Sequence, residues 1–257
     1  MSPTPYFDDG TVTLHLGDCR KVLPELSITA DLVLTDPPYG ETSLQWDRWP
    51  HDWPATAATV SSSLWCFGSM RMFLEYGAEF TEPGWHMSQD VVWEKNAGSG
   101  FHADRFRRVH EHVTHWYRGQ WSDVHHDVPR AKNLGPDQGA VRGGANRVPH
   151  YGGFRANTWT DDGTRLMTSV LRCKNMRTRA IHPTEKPLGI LDPLIRYACP
   201  PGGLVLDLFA GSGSTLDAAR QSGRRAIGIE ADERYAEAAA RRLSQPVLDF
   251  DAADGAA

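Results

Sequence analysis

The stretch from Leu204 to Leu243 constrains the fold most tightly, because it reads as strand, glycine turn, helix, strand, carboxylate and helix in forty residues. Leu204 to Phe209 is a short, nearly unbroken apolar run, the signature of a buried strand. It enters a turn containing Gly211 and Gly213, and a helix is expected from about Ser214 to Gln221, closed by Gly223. Ala226 to Ile229 is the next strand, ending at Glu230, and Glu233 to Leu243 is an amphipathic helix. Strands and helices alternating this densely make a parallel βαβ unit, and hence an α/β fold.

The rest of the chain fits one such domain. At 257 residues, 40% apolar and 23% charged, it is long enough for a single α/β core carrying an inserted module. The first third reads as strands and turns: Val12 to Leu16 alternates, and Asp31 to Thr35, Leu64 to Phe67 and Asp90 to Trp93 are apolar runs. From Gly119 to Thr168 the periodicity fails while Gly, Pro, Asn, Asp and Arg accumulate, as in Pro136-Asp137-Gln138-Gly139, so a loop-rich insert is expected. Helical spacing returns at Leu188, Leu191, Ile195 and Ala198. The tail from Pro246 onward has no pattern and is expected to be disordered.

Net charge is −5, which by itself argues against a polyanionic partner. Its distribution argues the other way. Between Arg118 and Ala180 eleven Lys/Arg face five Asp/Glu, a local +6, which leaves −11 on the remainder. A basic module is embedded in an acidic body, and from charge alone it is either a solvated loop or a nucleic-acid surface. The cysteines Cys19, Cys66, Cys173 and Cys199 have neither disulfide-framework nor CxxC spacing and read as reduced thiols. No apolar run reaches membrane-spanning length, and Met1 to Gly10 does not resemble a secretory signal, so a cytoplasmic location is expected. Several histidines cluster between His110 and His126, but without HExxH or paired Cys/His spacing, so no metal is expected.

Two short segments carry chemistry. Glycines between a strand and a helix let the backbone approach a ligand, and a carboxylate closing the next strand can take ribose hydroxyls; Glu230 stands 19 residues after Gly211. A tight connection with no ligand has the same pattern. A nicotinamide dinucleotide fits less well, because Leu216 stands where the fingerprint wants a third small residue, and Asp207 would repel a pyrophosphate while attracting an α-amino group. The second segment is Asp36-Pro37-Pro38-Tyr39, which follows the apolar run Leu32-Val33-Leu34 after Thr35. Carboxyl ends of parallel strands are where ligands sit, and two prolines stiffen the backbone around an acid and an aromatic. An ordinary turn would also accept this tetrapeptide.

Taken together, Asp207-Leu208-Phe209-Ala210-Gly211-Ser212-Gly213 and Asp36-Pro37-Pro38-Tyr39 resemble the FxGxG and DPPY motifs of the amino-group DNA methyltransferases. The catalytic tetrapeptide comes first, the basic insert second and the glycine turn last, which resembles the permuted β-group of that family. The resemblance covers nearly the whole chain apart from the insert and tail, including Val91 to Asn96 and Val109 to Trp116. It implies a Rossmann-like methyltransferase fold with a mostly parallel, seven-stranded twisted sheet, and S-adenosylmethionine as cofactor. It divides the chain into a catalytic half (1–117), a target-recognition insert (118–180), a cofactor half (181–245) and a tail (246–257).

Carried over position by position, the resemblance gives Asp207 and the loop Phe209, Ala210, Gly211, Ser212, Gly213, Ser214 and Thr215 to the methionine portion, and Glu230 to the ribose. His182-Pro183-Thr184-Glu185-Lys186-Pro187 resembles the family's preceding segment, so that His182, Thr184 and Lys186 border the cofactor, with Thr184 and Lys186 toward its carboxylate. Asp18, next to Cys19, matches a position that accepts from the adenine amino group, although an aspartate there also caps a turn. Asp36, Pro37, Pro38 and Tyr39 form the catalytic segment, with Asp36 also touching the cofactor.

The implied reaction is methylation of an exocyclic amine, adenine N6 favoured over cytosine N4, on a base flipped out of double-stranded DNA. Arg130, Lys132, Arg142, Arg147 and Arg155 are the insert's candidates for DNA contact. The family also brings a homodimer and a cognate restriction endonuclease as candidate partners. The rival functions are a nicotinamide oxidoreductase and a catalytically silent DNA-binding protein on the same scaffold.

Overall fold

The computed structural model describes residues 3–99, 103–132, 164–173 and 185–245. The chain forms two compact units, one of residues 1–127 with 169–257 and one of residues 128–168. In chain order the strands are β1 (Phe7–Asp8), β2 (Val12–Leu16), β3 (Leu32–Thr35), β4 (Ser63–Gly68), β5 (His86–Ser99), β6 (Arg108–Tyr117), β7 (Arg130–Lys132), β8 (Thr164–Leu166), β9 (Val170–Arg172), β10 (Leu204–Asp207) and β11 (Arg225–Glu230). The helices are α1 (Cys19–Leu26), α2 (Trp53–Ala58), α3 (Met70–Thr81), α4 (Leu188–Ala198), α5 (Ser214–Gln221) and α6 (Glu233–Leu243).

The larger unit is built on one sheet in the order β1-β2-β11-β10-β3-β4-β6-β5-β9. Strands β2, β11, β10, β3 and β4 run parallel to one another, and β6 enters antiparallel between β4 and β5. Among the described residues the sheet has nine strands, the expected seven extended at its edges by the two-residue β1 and the three-residue β9.

Side chains alternate across the sheet, and so does the core. Leu32, Leu34 and Val205 point into one apolar layer with Leu191 and Ile195 of α4, Leu216 of α5 and Ala239 of α6. Val33, Leu204 and Leu206 point into the other, with Leu23 of α1, Trp53 of α2 and Phe80 of α3. Helices therefore cover both faces, as parallel strands buried on both sides require. Each fully buried Leu or Phe in these layers stabilises the fold by about 1.5–3 kcal/mol.

Helix ends follow local chemistry. Asp232 caps α6 by accepting from Arg234 N at 2.9 Å, and Ser69 caps α3 by accepting from Met72 N at 3.0 Å. The expectation of strands and turns alone in the first third is corrected by α1, α2 and α3. Pro24 lies inside α1 and reads as a breaker, α2 has only six residues, and α3 buries only Met72 and Phe80 while leaving Leu74 exposed.

The smaller unit, residues 128–168, lies within the 118–180 insert that the resemblance implies. Trp121 packs on the core of the larger unit, Asp127 N donates to Tyr197 O at 2.8 Å, and Ser169 O accepts from Val92 N at 2.7 Å beside β9. Trp121, Asp127 and Ser169 all belong to the larger unit. Within the smaller unit, β7 and β8 pair antiparallel, with Arg130 opposite Leu166 and Lys132 opposite Thr164.

Candidate active site

Because β2, β11, β10, β3 and β4 run the same way, their carboxyl ends fall along one edge, with Asp18, Glu230, Asp207 and Asp36 at or just beyond the strand ends. That edge opens into a cavity of about 650 Å³ whose walls include Asp18, Asp36, Tyr39, Asp207, Gly211 and Glu230. This is within the range of roughly 300–1,000 Å³ typical of small-molecule and cofactor pockets.

The glycine loop is shaped by two carboxylates. Glu230 accepts from Gly211 N at 2.7 Å through one oxygen and from Asp232 N at 2.8 Å through the other, so one side chain ties the turn to the start of α6. Burial raises its pKa against these backbone donors. A carboxylate has about four acceptor sites, so both oxygens keep capacity for a ligand hydroxyl. Gly211 has φ +51° and Gly213 φ +77°, left-handed values that favour glycine. Asp207 Oδ1 accepts from Thr35 Oγ1 at 2.8 Å and from Phe209 N at 3.1 Å. Burial lifts its pKa to about 6 despite those donors, and the neighbouring Asp36 charge pushes the same way. A cation bound beside Asp207 would restore its charge. The loop, the two carboxylates and the cavity suit a nucleoside that carries an ammonium group.

The second half of the site is a chain of charges. Tyr39 Oη donates to Asp36 Oδ1 at 2.7 Å, and the Lys186 ammonium donates to Asp36 Oδ2. Lys186 is only 6% exposed. Its Nζ also lies 3.6 Å from Glu111 Oε2, while the other oxygen of Glu111 accepts from Lys95. Burial opposes the charge on Lys186, but the carboxylates of Asp36 and Glu111 prevail and raise its pKa. Burial likewise works against Glu111, and Lys186 and Lys95 overcome it to hold its pKa low. Burial and the Asp36 charge push the Tyr39 phenol well up, which keeps it a hydrogen-bond donor.

Most residues singled out in the sequence meet at this cavity: Cys19, Pro37, Pro38, Lys186, Phe209, Ala210, Ser212, Ser214 and Thr215 join those already named in its walls. Gly213 is not among them. A Cβ there would stand 3.1 Å from Ala239 Cβ, so this glycine serves the close packing of the loop on α6. Asp18 does cap α1, accepting from Arg20 N at 3.0 Å and pairing with the Arg20 guanidinium. Lys186, which the resemblance gives to the cofactor carboxylate, has its ammonium on Asp36. Arg130 and Lys132 are exposed on β7. His182, Thr184, Arg142, Arg147 and Arg155 lie outside the described residues.

Glu111 and Lys95 escaped the sequence reading. Their signal was parity: Val91, Trp93 and Lys95 share one face of β5, and Glu111, Val113 and His115 share one face of β6, with Trp93 paired to Glu111 and Val91 to Val113. A charged residue continuing a buried alternation marks an ion pair inside the fold. Trp46, 42% exposed in the cavity wall, was also missed, since its loop has no periodicity to place it.

A mostly parallel sheet with a glycine turn after one strand and an acid closing the next defines a Rossmann-like methyltransferase fold. The chain belongs to the N6/N4 DNA methylase family, whose model matches residues 30–241. A 63-residue stretch, 24% of the chain, is 59% identical to YubD of Escherichia coli (strain K12), a protein designated a methylase, and spans 28% of that protein's length. Among solved structures, the M1.HpyAVI–SAM complex superposes with a TM-score of 0.63 at 21% identity over 91% of this chain and 100% of that one. The cytosine-N4-specific PvuII DNA methyltransferase superposes with a TM-score of 0.64 at 16% identity over 96% of this chain and 92% of that one. At these identities the structural likeness is one of fold.

Proposed function

We propose that the chain is a β-group, S-adenosylmethionine-dependent methyltransferase that modifies adenine N6 in double-stranded DNA. The observation that carries this reading is the presence of Asp36 and the Gly211 loop in the walls of one cavity, although 175 residues of sequence separate them. S-adenosylmethionine supplies an electrophilic methyl group on a sulfonium. Asp207 is suited to its ammonium and Glu230 to its ribose hydroxyls.

The remaining chemistry falls to Asp36, Pro37 and Tyr39. An exocyclic amine is a poor nucleophile because its lone pair is delocalised into the ring. Acceptors aimed at its N–H groups favour the tetrahedral nitrogen that attacks carbon, and they stabilise the positive charge that develops. Asp36 offers a carboxylate and Pro37 a backbone carbonyl. The rigid Pro37-Pro38 pair keeps Tyr39 available to stack on a base that has left the duplex. Positioning then supplies much of the rate. The basic segment, with Arg130, Lys132, Arg142, Arg147 and Arg155, is the part suited to the DNA.

The test is nucleoside analysis by mass spectrometry of DNA of broad sequence coverage after incubation with protein and S-adenosylmethionine. N6-methyladenine is expected. N4-methylcytosine would move the assignment to the other amine of the family, and no methylated base would overturn it. Asp36→Ala is expected to abolish methylation while leaving S-adenosylhomocysteine affinity within about tenfold, or roughly 1.4 kcal/mol.

A further inference from the structure

The Asp36 carboxylate is engaged on both oxygens, Oδ1 by the Tyr39 hydroxyl at 2.7 Å and Oδ2 by the Lys186 ammonium. An amine arriving at this acid competes with a buried cation for it. Close by stands an acceptor that lacks a hydrogen-bond partner among the described residues: Glu111 Oε2 is buried, with Lys186 Nζ at ion-pair distance, 3.6 Å. Its companion Oε1 accepts from Lys95, which anchors the carboxylate. A charge-assisted bond of this type closes to about 2.7–2.9 Å, so a displacement of under about 1 Å would carry the ammonium onto Glu111. The Phe67 ring lies 4.9 Å from the same nitrogen and offers the ammonium a π face beside this path.

We propose that Glu111 is a positioning residue that draws the Lys186 ammonium off Asp36 when the substrate amine arrives. The inference rests on the proposed amine methylation. In the resting site Lys186 neutralises Asp36. With substrate present, Lys186 bonds Glu111 Oε2, satisfying a carboxylate oxygen whose burial without a partner is otherwise costly. The Oδ2 acceptor of Asp36 then turns to the amine N–H. Glu111 stands in the cavity wall beside Lys95 and Lys186, and its part in the exchange is to act through Lys186.

Glu111→Gln keeps the shape and removes the charge that attracts Lys186. It is expected to lower kcat by about 10–100-fold, the scale of a misplacement of about 1 Å in a catalytic group. KM for DNA and the calorimetric affinity for S-adenosylhomocysteine should stay within about twofold. Glu111→Asp should recover part of kcat. Lys186→Met combined with Glu111→Gln should be no slower than Lys186→Met alone, because the two residues act in series. Wild-type kcat in Glu111→Gln, strict additivity in the double variant, or a loss carried by weaker S-adenosylhomocysteine binding would overturn the proposal. An inactive wild-type protein would overturn the underlying function as well, whereas active wild type beside a fully active Glu111→Gln sinks this inference alone.

Discussion

Asp207 is 2% exposed at the end of β10, and burial carries its pKa from the ordinary value of 3.8 to about 6. An acid whose folded pKa lies above its unfolded one binds protons more readily when folded, so this group favours the fold at low pH. That contribution is lost as pH rises from about 4 through 6. Two pKa units correspond to about 3 kcal/mol. Asp207→Asn should therefore stabilise the free protein near pH 7.5 by on the order of 2–3 kcal/mol and leave it little changed near pH 4, as urea unfolding at the two pH values would show. The same substitution should weaken S-adenosylhomocysteine binding, and in the wild type that affinity should fall as pH drops below about 6. Asp207 and Asp36 were legible because each closes an apolar run at a strand's carboxyl end. Glu111 was not, because its partners Lys95 and Lys186 lie 16 and 75 positions away along the chain.

Between β10 and α6 the match between pattern and structure is close: α5 spans Ser214–Gln221 and α6 spans Glu233–Leu243, as the spacing of Leu216, Ala218, Ala236, Ala239 and Leu243 predicts. These elements bury a full stripe against the sheet, and a stripe is what periodicity reports. The helices α1 to α3 were invisible for the opposite reason, being short, proline-bearing or buried at few positions. The turn joining β10 to α5 offers a direct test of packing. Gly213→Ala places a methyl at φ +77° and 3.1 Å from Ala239 Cβ, which combines a left-handed backbone with a crowded helix contact. The expected cost is about 1–3 kcal/mol, read as a lower urea midpoint with an unchanged m-value. Donor affinity should suffer less than stability, since the residue faces α6 and lies outside the cavity walls.

Across the whole chain, what the sequence revealed best was order and charge. Tetrapeptide, basic segment and glycine turn succeed one another, and parallel strand pairing brings the first and last together at one edge of the sheet. Side-chain patterns do not encode which strands become neighbours, so β6 between β4 and β5, and with it the Glu111–Lys95 pair, had to come from the structure. Charge, by contrast, is additive and needs no fold to be counted. A segment of +6 in a chain of −5 predicts that DNA affinity is governed by residues 118–180 and falls steeply with salt, while binding of the nearly neutral S-adenosylhomocysteine does not. Each arginine that meets a phosphate contributes about −0.9 to the slope of log K against log salt. Replacing Arg142 and Arg147 together should weaken DNA binding and flatten that slope by up to about 2, with unchanged S-adenosylhomocysteine affinity. An unaltered slope and affinity in the double variant would place the phosphate contacts elsewhere, and Arg130 with Lys132 on β7 would be the next pair to replace.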